Sequence, residues 1–119
     1  MKMNDPFSYE VKHNERITIE VTPRDFLDSV ISVRAELDGA LLPAKPNTED
    51  ALIFEFTVSK SAGDIHTVIM EFTFVAGTPA DAQYTAAISG RNDQGCPCGF
   101  TIDKDSSDKS PDIEFDVVS

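Results

Sequence analysis

Apolar and polar residues alternate with period two along nearly every long stretch of this chain, and almost nothing repeats at the helical spacing of about 3.6 residues. Ile17, Ile19 and Val21 alternate with Arg16, Thr18 and Glu20. His66, Val68, Met70, Phe72 and Phe74 alternate with Thr67, Ile69, Glu71 and Thr73. Successive side chains on a strand point to opposite faces, so the pattern predicts sheets with one buried and one wetted face.

Read along the chain, the alternation predicts about nine strands. The first is Phe7–Lys12 and the second Arg16–Val21, ended by Pro23, which cannot donate to a central ladder. Val30–Leu37 follows, with Ile31, Val33, Ala35 and Leu37 inward. Asp38-Gly39 predicts a two-residue hairpin turn into a short return strand, Ala40–Leu42. The segment from Pro43 to Asp50 reads as a polar connection. Ala51–Val58 and the longest strand, Ile65–Val75, come next, joined by Lys60 to Asp64. Gln83–Ser89, Cys98–Asp103 and Asp112–Val118 complete the set. Many short strands at regular spacing predict an all-β, two-layer antiparallel β-sandwich. With no linker or repeat in sight, residues 1–119 read as a single domain.

Charge narrows the partners. The chain carries a net charge of −11, the wrong sign for a phosphate backbone or an anionic lipid surface. Nucleic acid and membrane are therefore not expected, and a protein or glycan partner is. No run approaches the roughly 20 apolar residues of a membrane helix, and the first residues contain no apolar leader core. Two settings follow: a cytoplasmic protein, or a domain cut from a longer exported chain.

Residues 79–86 read Pro-Ala-Asp-Ala-Gln-Tyr-Thr-Ala. Ala82-x-Tyr84-x-Ala86 resembles the corner before strand F of immunoglobulin-like domains, where a tyrosine hydroxyl bonds back to the backbone and a core cysteine often follows two residues later. Ala86 stands at that cysteine position, Asp81 sits one place from the family's acidic position, and the chain has no tryptophan. The resemblance is thus to disulfide-free bacterial immunoglobulin-like modules. It implies an immunoglobulin-like sandwich with an adhesive, spacer or ligand-presenting role, and it assigns no ligand or functional residue. A jelly-roll-like sandwich is the alternative fold.

The expected function is a non-catalytic interaction module. Leu41 and Leu42 are adjacent on a strand, so one of them must face outward beside prolines and can belong to a contact surface. In the loop Gly90–Gly95, Arg91 and Asn92 offer hydrogen-bonding groups to a partner. A second expectation is a calcium-dependent carbohydrate- or ion-binding domain. Asp103, Asp105, Asp108 and Glu114 supply hard oxygens, with Asp93 from the neighbouring loop. The strand flanks, Asp108 at the turn glycine position and the cations Lys104 and Lys109 separate this loop from an EF-hand. The weaker alternative is a metal or redox protein using Cys96 and Cys98 of Gly-Cys-Pro-Cys-Gly, although tetrahedral zinc lacks a second cysteine pair. No nucleophile elbow, phosphate loop or His-x-x-x-His pair occurs, so no enzyme activity and no cofactor beyond calcium is expected. The row Asp112, Glu114 and Asp116 falls on the outward face of the last strand and reads as protection of a sheet edge.

Overall fold

The computed structural model describes residues 8–24, 32–48, 51–74, 82–90, 98–103 and 110–118. They form ten strands: β1 (Ser8–Val11), β2 (Arg16–Arg24), β3 (Ser32–Leu37), β4 (Ala40–Leu42), β5 (Lys45–Thr48), β6 (Ala51–Thr57), β7 (Ile65–Thr73), β8 (Gln83–Gly90), β9 (Cys98–Asp103) and β10 (Asp112–Val117). Two five-stranded sheets result. Sheet A runs β1-β10-β7-β3-β4 and sheet B runs β5-β6-β2-β8-β9.

The alternating residues meet between the sheets. Ile17, Ile19, Val21, Phe54, Tyr84 and Ile102 from sheet B face Ala35, Val68, Met70, Phe72, Ile113 and Phe115 from sheet A in one buried cluster. Rings stitch the layers together: Phe56 meets Phe115 edge-on with centroids 5.3 Å apart, and Phe72 packs against both Tyr84 at 5.3 Å and Phe100 at 6.1 Å. Such aromatic pairs bury large area and add roughly 0.5–1.5 kcal/mol each beyond it.

Four expectations are corrected. β5 is a strand where a polar connection was expected; it lies at the edge of sheet B, and its register slips between Pro46 and Thr48. An edge strand tolerates proline because one side of its ladder is unpaired. β2 runs on through Pro23, which pairs with Tyr84 of β8 beyond the last β6 pair, Val21 with Leu52. β1 lies parallel to β10, so the sandwich is not purely antiparallel. β10 sits between β1 and β7 rather than at an edge, which removes the edge-protection reading of Glu114 and Asp116.

The Asp38-Gly39 turn is as expected. Both residues have positive φ, 50° and 89°, the signature of the turn type that matches strand twist. It pairs Leu37 with Ala40 and returns the chain into β4.

Candidate interaction face

The outer face of sheet A is set by the parity of its strands. Ile113, Phe115 and Val117 enter the core, so Asp112, Glu114 and Asp116 point away from it. On β7, His66, Val68, Met70 and Phe72 turn inward and leave Ile65, Thr67, Ile69 and Glu71 outside. On β4, Leu42 is buried while Leu41 is 63% exposed, so only Leu41 of the expected pair faces outward.

Register lines these residues up. Leu41 pairs with Glu36, Glu36 with Ile69, and Ile69 with Asp112, a single row across four strands. At about 4.8 Å per strand the row spans roughly 14 Å. Leu41, Ile65 and Ile69 are three of the four large exposed hydrophobic residues among those described, and all three lie on this face. Charge surrounds them. Glu10, Glu36, Glu71, Asp112, Glu114 and Asp116 share the face, while Arg34, ion-paired to Glu36 at 3.0 Å, is the one lysine or arginine at an outward position of the five strands. Glu10 lies directly opposite Asp116, and like charges in register destabilise a sheet.

A polar pair, one member buried and one at the surface, fixes the hairpin that carries Leu41. Asp38 sits in the β3–β4 turn, and its Oδ2 accepts a 2.6 Å hydrogen bond from Nδ1 of His66. Its Oδ1 accepts the Thr67 amide at 2.9 Å, and its own amide donates to the Thr67 carbonyl at 2.8 Å. The turn is thereby clamped to β7. On the far side of the ring, Nε2 of His66 accepts from the Ser59 and Lys60 amides at 3.2 and 3.4 Å. Two amide donors at Nε2 require a lone pair there, so the proton resides on Nδ1. Both ring nitrogens are thus occupied, and Phe56 packs edge-on against the ring. Burial pushes the Asp38 carboxyl up, but the Thr67 amide, the His66 bond and the Lys60 ammonium 3.6 Å away hold it below its ordinary value. His13 lies in the exposed β1–β2 turn and donates from Nδ1 to the Lys60 carbonyl at 2.8 Å.

The outer face of sheet B is chemically different. Thr18, Thr22, Thr85 and Thr101 are spread over it, and two of its strand cations, Arg16 and Lys45, both pair with Glu55 at 2.8 Å. The Arg16 and Lys45 hydrogen bonds lower the Glu55 carboxyl to about 2.

Of the residues singled out in the sequence, Arg91, Asn92, Asp93, Cys96, Asp105 and Asp108 lie outside the described residues. Asp103 ends β9 with its side chain exposed, and Cys98 opens the same strand, its side chain also outside the description. Among the described residues, no three His, Cys, Asp or Glu side chains gather in a way that would hold a metal ion. The face of sheet A was not anticipated as a whole. Its signal was Ile69, an apolar residue standing among the polar positions of its strand.

Comparison with known proteins finds no matching family model, no matching curated protein and no matching solved structure.

Proposed function

We propose that this chain is a non-catalytic binding module that presents the outer face of sheet A to a protein partner. The observation that carries the reading is the placement of Leu41, Ile65 and Ile69 on one sheet face, with Leu41 and Ile69 in a single cross-strand row. Apolar side chains grouped on a polar-rimmed face favour a contact surface.

The scaffold proposed is immunoglobulin-like. In its support, the order β10-β7-β3-β4 follows the G-F-C-C′ order of that fold, and β5-β6-β2 follows D-E-B. The β8–β9 hairpin, inserted between β7 and β10 and added beside β2, departs from the pattern. Tyr84 stands in that hairpin, and its hydroxyl bonds back to the backbone of β7.

The test is affinity capture from extract of the source cells with three proteins: wild type, Leu41→Asp/Ile69→Asp, and Thr85→Asp/Thr101→Asp on the opposite face. The reading expects a captured partner to be lost with the first pair and kept with the second. Retention with Leu41→Asp/Ile69→Asp sinks it.

A further inference from the structure

We infer that the partner of this face is a cationic protein segment whose lysines or arginines flank apolar side chains. The inference rests on the proposed binding role of sheet A and names the chemistry that role requires.

Ile69 has Glu36 and Asp112 as its neighbours across the sheet and Glu71 two residues along its own strand. A partner that covers Ile69 must therefore strip water from carboxylates on three sides. Arg34 pairs with Glu36 at 3.0 Å and stands opposite Glu71, so a single cation serves two of these carboxylates. The charge it does not balance costs several kcal/mol when desolvated, more than covering one isoleucine returns. A neutral or acidic surface loses that exchange, and a cationic one pairs the carboxylates while it covers the apolar row.

The fold supplies a second reason. β10 is an interior strand that β1 covers from Glu114 onward, so Glu114 and Asp116 guard no edge. Within β1, β7 and β10 no outward position holds a lysine or arginine, and Glu10 stands opposite Asp116. This like-charge arrangement works against the isolated sheet and is relieved by a bound cation. A second copy of this chain does not fit: it carries the same −11 charge, and Arg16 and Lys45 of its sheet B already pair with Glu55. Complementary charge at such a surface speeds encounter and excludes wrong partners.

The probe is a short peptide alternating lysine with leucine, compared with glutamate–leucine and lysine–serine counterparts, titrated calorimetrically at low and moderate salt. The lysine–leucine peptide binds the wild-type protein, weakens with salt, and loses affinity about ten-fold in Asp112→Asn/Glu114→Gln. The control Glu20→Gln/Asp103→Asn removes the same net charge from sheet B and leaves the affinity unchanged. Equal binding of the glutamate–leucine peptide overturns the cationic partner and leaves sheet A an apolar contact face. Equal loss in both charge variants, with none in Ile69→Ser, means diffuse attraction and overturns both readings. No binding by the lysine–leucine peptide overturns the inference alone, because the capture experiment still judges the face.

Discussion

Asp38 and His66, far apart in sequence, meet at 2.6 Å between a hairpin turn and the start of β7, and the carboxylate side of that contact also caps the Thr67 amide. One side chain therefore fixes the ring, the turn and the β3–β7 register. Asp38→Ala removes both acceptors, leaves the buried Nδ1–H without a partner and puts alanine at a φ of 50°. The expected loss is about 2–3 kcal/mol in urea unfolding. Asp38→Asn, whose side chain keeps an acceptor and tolerates the turn, loses about 1 kcal/mol. Equal losses for the two variants contradict the clamp.

Acid acts on this protein through its lowered carboxylates. A carboxylate whose folded value lies below its unfolded one stabilises above the unfolded value, and that contribution disappears as pH falls through the folded value. Glu55, hydrogen-bonded by Arg16 and Lys45, does this between its ordinary 4.5 and about 2, and Asp38 does so below its ordinary 3.8. Melting temperature falls over that window, and Glu55→Gln makes the fall shallower. The two proteins converge near the acid end, and added salt narrows their difference because the pair is solvent-accessible. A difference between them that stays constant with pH refutes the assignment.

The hydroxyl of Tyr84, on β8 of sheet B, donates to the carbonyl of Thr73 at the end of β7 in sheet A, 3.1 Å away. Its ring packs against Phe72 and Phe74. Tyr84→Phe keeps the ring and costs about 1 kcal/mol, whereas Tyr84→Ala costs about 3–5 kcal/mol. Denaturant midpoints separate the two, and indistinguishable midpoints for Tyr84→Phe and wild type remove the hydroxyl from the account.

Leu41 and Leu42 are neighbours with opposite fates. Leu41→Asp costs less than about 1 kcal/mol, since the side chain loses little burial and the new carboxylate only meets Glu36 across the exposed face. Leu42→Asp drives a carboxylate into the core cluster and costs about 3 kcal/mol or more. Thermal melts of the two variants read the difference directly, and similar midpoints contradict the assigned strand parity.

Period-two alternation was enough to find nine of the ten strands, because a side chain's face follows from parity alone. β5 escaped because Lys-Pro-Asn-Thr carries no alternating apolar residue, and an edge strand is held by backbone pairing. Pro23 misled for a related reason: the rule against proline applies to a strand paired on both sides, and there β2 pairs only with β8. Parity showed that the β10 carboxylates face outward but held nothing about which strands flank β10, since strand order depends on contacts between distant segments. For the same reason Leu41 and Ile69 could not be joined in advance. They share a row only because β3 lies between β4 and β7.

The parallel pairing of β1 with β10 has a kinetic side. Tyr9 waits for Phe115, and Val11 for Val117, so sheet A stays open along one flank until nearly all of this sequence has left the ribosome. At about 5–20 residues per second that interval lasts several seconds, long compared with the microseconds in which a local hairpin such as β3–β4 closes. Tyr9 remains wetted for that time, and closing the span from it to Phe115 carries the loop entropy that makes such topologies slow. The joining of β1 to β10 is accordingly the step at which a chaperone or a premature neighbour would intervene.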